Sequence, residues 1–328
     1  MQKLRWGILA TGLIARLFTR DAQLAGLDVA AVGSRSPASA QAFAAELGLE
    51  HAYGSYEELA SSDAVDIVYI GTPHTAHYAT AALALERGKH VLLEKPFTVN
   101  AEEAAGLRDL ARSRGLLLME AMWSRYLPHM ARVREIVGAG GIGEVRAVFA
   151  DHTQSISTDP AHRLNALELG GGSLLDLGVY PVSFAWDLLG EPTSVKASAR
   201  LSETGADAEV ATILTHGGGA ISTSLSSSRA AGPNHAHVIG TAGRIEIDAV
   251  WYNATGFTHC GADGSVIERY ASEVPGRGMQ YQALAAERLV AEGRLEGDVL
   301  TLDESVAIMG TLDEVRRQIG VVYPGERR

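Results

Sequence analysis

Short aliphatic and β-branched runs recur through the first third of the chain, at residues 4–9, 29–33, 65–71, 90–93 and 116–119, with stretches of helical spacing between them. An apolar run of this length, bounded by turn residues, reads as a strand covered on both faces. Strands alternating with helices read as βαβ units. Local signals mark the helices: Ser36-Pro37 supplies an N-cap and an N1 proline, Gly48 stops that helix, and Asn100 caps residues 101–114. The pattern predicts a Rossmann-type doubly wound parallel sheet over residues 1–122.

Beyond residue 122 the pattern changes. Helical spacing at 128–137 and 174–189 flanks a strand at 144–150. Strand-like segments then follow at 194–201, 210–215, 220–226, 237–239, 244–247 and 266–270, with Gly and Asn between them. Strands in succession joined by turn residues predict a mainly antiparallel sheet, and two helices at 280–292 and 303–319 finish the chain. Residues 123–328 are thus expected to form an α+β substrate-binding and oligomerisation domain. An open apolar sheet face invites a second copy, giving a dimer or tetramer.

Composition narrows the function classes. The 328 residues are 46% hydrophobic, enough for a sizeable core, and 39 acidic against 28 basic side chains give a net charge of -11. That balance argues against a nucleic-acid or anionic-membrane partner and suits a cytoplasmic protein. The single cysteine, Cys260, leaves no intrachain disulfide or cysteine metal site. The histidines are dispersed without compact ligand spacing, so no metal is expected. Lys3 and Arg5 before an apolar stretch imitate a signal peptide, but Arg16 and Arg20 interrupt it and the segment reads better as a strand and helix. No run approaches a membrane span.

Three strand ends carry candidate chemistry. Glu94-Lys95-Pro96 closes the run at 90–93, and ligands of open α/β sheets bind outside the carboxyl ends of the strands. Lys95 is either a catalytic ammonium or a solvated strand-end lysine. The first strand leads into Ala10-Thr11-Gly12-Leu13-Ile14-Ala15, where only the middle position of G-x-G-x-x-G is glycine. That glycine lets backbone approach a pyrophosphate, which the following helix N-terminus favours. After the second strand, where NAD-specific folds commonly place an acid, the chain reads Gly33-Ser34-Arg35-Ser36. A hydroxyl and a guanidinium suit a 2′-phosphate, so NADP(H) is preferred to NAD(H), the alternative being a solvated loop arginine and cap serines.

Together these segments, with Thr72-Pro73-His74 and His77, Gly170-Gly171-Gly172 and Asp176-Leu177-Gly178-Val179-Tyr180, resemble the glucose–fructose oxidoreductase/inositol dehydrogenase family over essentially the whole chain. Residues 119–126, Tyr180 and Gly278-Met279 are most similar to its dimeric dihydrodiol dehydrogenase and NADP-dependent D-xylose dehydrogenase branch. Many family members carry histidine where Tyr180 stands. The resemblance implies hydride transfer between NADP and a CH–OH or carbonyl carbon of a sugar, cyclic polyol or trans-dihydrodiol. Tyr180 would be the acid/base, assisted by Lys95 and with Asp176 orienting a substrate hydroxyl or Lys95. A phenol with an unperturbed pKa near ~10 would ionise more readily beside an ammonium.

The resemblance also assigns Thr72, Pro73, His74, His77 and Glu94 to the cofactor. Trp123 and Arg125 are candidates for cofactor or substrate, and His152 and Arg163 for substrate. Each has a plainer reading: turn residues, a strand-closing acid, packing aromatics, or, for Tyr180, a core residue beside Phe184. Two further functions compete on this fold, a redox-assisted NAD-dependent glycosidase and a non-catalytic NADPH sensor. Ser34-Arg35 argues against the first, and Lys95 with Tyr180 against the second.

Overall fold

The computed structural model describes residues 3–326, and the chain forms two compact units, Met1–Trp123 with Pro275–Val306 and Ser124–Val274 with Ala307–Arg328. The first contains β1 (Arg5–Leu9), α1 (Leu13–Leu24), β2 (Asp28–Gly33), α2 (Pro37–Leu47), β3 (His51–Tyr53), α3 (Tyr56–Ala60), β4 (Ile67–Ile70), α4 (His77–Glu86), β5 (His90–Glu94), α5 (Ala101–Arg114) and β6 (Leu118–Ala121). The second contains α6 (Pro128–Gly138), β7 (Val145–Thr153), a π-helical turn at Leu174–Gly178, α7 (Val179–Leu189), β8 (Pro192–Leu201), β9 (Asp207–His216), β10 (Ile221–Ser227), β11 (Ala236–Gly240), β12 (Gly243–Ile247), β13 (Phe257–Gly261) and β14 (Val266–Tyr270). Helix α8 (Gln280–Ala291) belongs to the first unit, and α9 (Leu302–Ile319) begins in the first and ends in the second.

The first unit's strands lie in the order β3-β2-β1-β4-β5-β6, all parallel. The order turns back at β1, so the crevice outside the carboxyl ends of β1 and β4 is the topological switch point. Strands β4, β5 and β6 are buried along their whole length or nearly so, as a sheet covered on both faces requires. The sequence signals for the helix ends hold: Ser36 accepts from Ser39 N, Asn100 accepts from Glu103 N, and Gly48 and Gly115 close α2 and α5 in left-handed conformations. Phe18 of α1 stacks on Tyr69 of β4 with centroids 3.7 Å apart, and Trp6 donates its indole N–H to Glu287 of α8. Asp21 of α1 accepts the backbone N–H groups of Arg277 and Met279 just ahead of α8.

The second unit's sheet runs β14-β13-β12-β11-β7-β10-β9-β8, antiparallel throughout except for β7 with β10. The π-turn and α7 cover one face. On the other, Phe149, Ile213, Ile221, Leu225 and Ile239 are exposed on neighbouring strands, in a register that sets Thr223 between Phe149 and Ile213. The short β3 and the strand β13 were not announced by the hydrophobic pattern. Nor does the segment 174–189 form one α-helix, because a π-turn occupies its first five residues. Among the described residues no helix is long and apolar enough to cross a membrane.

Two buried groups shape the strand ends of the first unit. Glu94 is 4% exposed and accepts from the Tyr69 hydroxyl at 2.6 Å and from Lys95 N at 3.2 Å. His77 is fully buried, with Nδ1 2.8 Å from Pro96 O and Nε2 3.0 Å from Thr72 O, so one imidazole ties the exit of β4 to the cis Lys95–Pro96 segment after β5. Burial pushes its pKa down to about 4 against the pull of the carbonyl oxygens. The neutral ring therefore favours the fold above pH ~6.5, and this contribution is lost as pH falls through 4, since the unfolded chain takes up the proton first. His77→Gln is expected to flatten the fall in thermal unfolding midpoint between pH 6.5 and 4.5 relative to the parent. Equal slopes by circular dichroism would remove His77 from the acid response.

Candidate active site

The turn after β1 uses unusual backbone. Ala10 takes a φ of 91°, a conformation that L side chains rarely adopt, at the place where the dinucleotide motif carries its first glycine. Gly12 then stands in extended conformation as the N-cap of α1, with no side-chain cap and no acid in the first turn. A Cβ added at Gly12 would meet nothing within 4 Å, so the glycine borders open space. Uncapped N–H groups facing such a space suit a pyrophosphate. Arg16 reaches back to Thr11 O and pairs with Glu46, which fastens the loop from inside α1. Leu13 is largely exposed beside it.

At the end of β2, Ser34 is buried and accepts from Ser36 N through its hydroxyl oxygen, which leaves the hydroxyl proton able to donate. Arg35 is exposed, with the Tyr56 hydroxyl as a hydrogen-bonding neighbour. No carboxylate occupies positions 34–36. After β4, Thr72 is buried and its hydroxyl oxygen has no hydrogen-bond partner, while Pro73 leads into a short 3-10 turn over His74–Ala76. The His74 ring meets that of His77 edge-on at 5.6 Å. An orphaned hydroxyl, a glycine bordering space and an uncapped helix start are all features a dinucleotide would complete. The residues present therefore fit NAD(P).

Other candidates in this unit are committed to protein contacts. His77 is sealed inside and reaches two carbonyl oxygens, and Glu94 holds Lys95 N and Tyr69, so both act on the loops that frame the crevice. Lys95 itself is half-buried at the carboxyl end of β5. Trp123, just past β6, is 3% exposed, and the Arg277 guanidinium lies 5.6 Å from its ring centroid, a contact the sequence reading did not include.

In the second unit, Tyr180 of α7 and His152 of β7 bring their rings together edge-on at 5.0 Å. Tyr252, in the loop after β12, stacks on His152 at 3.7 Å and approaches Tyr180 at 5.4 Å. Gln154 Nε2 donates to His152 Nε2 at 2.9 Å. Asp176 lies in the π-turn, 6% exposed, and takes a two-pronged ion pair from Arg163 at 3.2 and 3.0 Å. The structure thus groups His152 with Tyr180 and Arg163 with Asp176. Tyr252 was missed, although an aromatic pair, Trp251-Tyr252, inside a turn-rich loop was a signal open to reading. Arg125 is 3% exposed and donates twice to Ser183 of α7, through Nε to the hydroxyl at 2.9 Å and through Nη2 to the backbone carbonyl at 2.6 Å. It braces the helix that bears Tyr180. Among the described residues no cluster of three or more His, Cys, Asp or Glu could hold a metal ion.

Comparison with known proteins agrees with this architecture. Residues 4–122 match the model of an oxidoreductase family with an NAD-binding Rossmann fold, and residues 130–246 match the GFO/IDH/MocA C-terminal domain. The trans-1,2-dihydrobenzene-1,2-diol dehydrogenase of Mus musculus is 37% identical over 339 residues, covering 99% of each chain. The D-xylose 1-dehydrogenase (NADP(+)) of Hypocrea jecorina is 34% identical over 365 residues, 98% of this chain and 93% of the relative. Among solved structures, the aldose-aldose oxidoreductase from Caulobacter crescentus complexed with glycerol superposes with a TM-score of 0.87 at 26% identity, over 97% of both chains. Matched over both halves by the family's two domains and 37% identical to a relative over 99% of its length, the chain belongs to the GFO/IDH/MocA family of NAD(P)-binding oxidoreductases.

Proposed function

We propose that this chain is an NADP-preferring dehydrogenase or reductase acting on a CH–OH or carbonyl carbon of an aldose, cyclic polyol or trans-dihydrodiol. The observation that carries the reading is a buried phenol, Tyr180, set among the rings of His152 and Tyr252, one turn beyond the Arg163–Asp176 pair. Aromatic walls with a few convergent polar groups suit a ring-shaped polyhydroxy ligand. The names of the relatives, a dihydrodiol dehydrogenase and an NADP-linked xylose dehydrogenase, point to the same class.

NADP, held by the Ala10–Ile14 turn, Ser34, Arg35 and the Thr72–His74 loop, would supply the hydride chemistry when bound. Tyr180 takes the substrate hydroxyl proton as the carbon is oxidised and returns it in reduction. Lys95 hydrogen-bonds the substrate oxygen and stabilises its developing negative charge. Arg163 holds Asp176 so that its carboxylate can orient a second hydroxyl. Ser34 and Arg35 bind the 2′-phosphate, the former by hydrogen bond and the latter by charge. We further propose that the face bearing Phe149, Ile213 and Leu225 associates with a second copy, since exposed apolar side chains on adjoining strands are costly to leave wet.

Three outcomes follow. Lys95→Ala and Tyr180→Phe should each lower kcat by about 10²-fold or more while NADPH binding, read by fluorescence, changes little. Turnover near the parent's with D-xylose, cyclic polyols and dihydrodiols would remove that residue from the chemistry. Arg35→Asp should shift the NADP/NAD ratio of kcat/KM toward NAD by about 10- to 100-fold, the worth of one charge-assisted hydrogen bond; an unmoved ratio places 2′-phosphate recognition elsewhere. The pair Phe149→Glu with Ile213→Glu should yield monomers in sedimentation, and an oligomer of the parent's size would exclude this face.

A further inference from the structure

The π-turn that bears Asp176 is fastened by a carboxylate from outside the candidate site. Asp207 opens β9 and is 1% exposed. Its Oδ2 accepts from Leu174 N at 2.6 Å and from the Ser173 hydroxyl at 3.0 Å, while its Oδ1 has no hydrogen-bond partner. Asp207 forms no ion pair among the described residues. The donors at the start of the turn, with the backbone N–H groups of Ser173 and of Asp207 itself, favour its charged form.

The preceding glycines fit around it. Gly172 has a φ of 137°, and a Cβ there would lie 2.2 Å from Asp207 Oδ1. A Cβ on Gly171 would strike Arg163 O and Ala166 O at 2.8 and 2.7 Å, so the loop lies against the backbone of the residue that pairs with Asp176. From the other side the Tyr323 hydroxyl donates to Gly171 O at 2.9 Å. The Arg316 guanidinium lies 4.9 Å from the Tyr323 ring centroid and pairs with Asp313 and Glu326.

We propose that Asp207 is a positioning residue: its buried carboxylate holds the Gly171–Leu174 segment in one conformation and so sets the orientation of Asp176 and Tyr180. The inference rests on the proposed role of Tyr180. A carboxylate in this setting is expensive, since burial disfavours charge, and its pKa is pushed up to about 6. A carboxyl with a raised pKa favours folding most when protonated, and that contribution is lost as pH rises through 6. At working pH the anion therefore costs stability, while its charge strengthens the hydrogen bonds that hold the turn. The groups that face it are the Tyr323 phenol, with Arg316, Asp313 and Glu326 behind, and the Ser173 hydroxyl. Asp176 and Arg163 belong to the segment it holds.

Asp207→Asn separates positioning from simple stabilisation. It keeps an acceptor for Leu174 N and removes the charge, so the full-length variant should unfold at pH 8 at a temperature equal to or above the parent's. Its kcat for NADP-linked oxidation of the best substrate of the panel should fall by about tenfold, KM for NADP should hold, and an acid limb near pH 6 in the parent's kcat profile should disappear. Deuterium exchange of peptides spanning 172–182 should quicken selectively, which reads the turn whatever the substrate. Ser173→Ala, which deletes one donor and keeps the carboxylate, should lower kcat by about threefold, move the acid limb to higher pH and quicken the same exchange, and it serves if the first variant fails to fold. A lower unfolding temperature with the parent's kcat, pH profile and exchange would overturn the inference. Tyr180→Phe is the control: parental activity there defeats the Tyr180 reading, whereas an inactive Tyr180→Phe beside an unaltered Asp207→Asn defeats the positioning role alone.

Discussion

Backbone N–H groups accepted by buried carboxylates hold the loops on which the candidate chemistry stands. Glu94 receives Lys95 N, Asp21 receives Arg277 N and Met279 N, and Asp207 receives Leu174 N; each carboxylate is 5% exposed or less. A hydrogen bond to a charged acceptor is roughly twice as strong as a neutral one, and a loop held this way loses little further entropy when ligand arrives. Desolvating each anion opposes folding. The protein thus spends stability on loop geometry, and the buried apolar residues of β4 and β5, with the Phe18–Tyr69 stack against the sheet, supply the burial that offsets it.

The same constraint explains what could be read from the sequence. Parallel strands buried on both faces must be continuous apolar runs, so β1, β2, β4, β5 and β6 were visible, and with them the residues just beyond their carboxyl ends: Ala10–Ile14, Ser34, Thr72, Lys95 and Trp123. Strand β3 has three residues, too few for any pattern, and β13 reads Phe-Thr-His-Cys-Gly, which mixes polar and apolar without clean alternation. The π-turn was hidden for a different reason. Leu174–Leu189 has ordinary helical spacing, and its departure from α geometry accompanies contacts with Asp207, more than thirty residues away in sequence. Likewise the meeting of Tyr252 with His152 is made by the fold of a loop. A local pattern cannot report either contact.

Ala10 shows how a motif can survive without its residue. The first glycine of the dinucleotide turn is there to permit a tight bend, and the chain makes that bend with alanine at a φ of 91°. Left-handed backbone costs a residue with a Cβ about 1–2 kcal/mol. The surrounding pairing absorbs this, since Ala10 N donates to Gly33 O and Gly71 N to Leu9 O on either side of β1. Matching letters would have understated this turn; the backbone it must adopt is the better criterion.

The two units are prepared for a ligand differently. In the first, the Thr72 hydroxyl and the start of α1 lack side-chain partners and border the crevice at the switch point. Groups of this kind lower the stability of the ligand-free protein and are repaid when a dinucleotide binds, so cofactor binding and the stability of this unit are linked by mass action. In the second, Arg163 grips Asp176, Arg125 braces α7, and Tyr323 and Asp207 hold the glycine loop before any ligand is present. On the proposed reading of Tyr180 as the acid/base, this group must be aligned when the hydride moves, because reorganisation at that moment would add to the barrier. It follows that the cofactor unit can complete itself on binding, whereas the unit bearing Tyr180 must be finished beforehand.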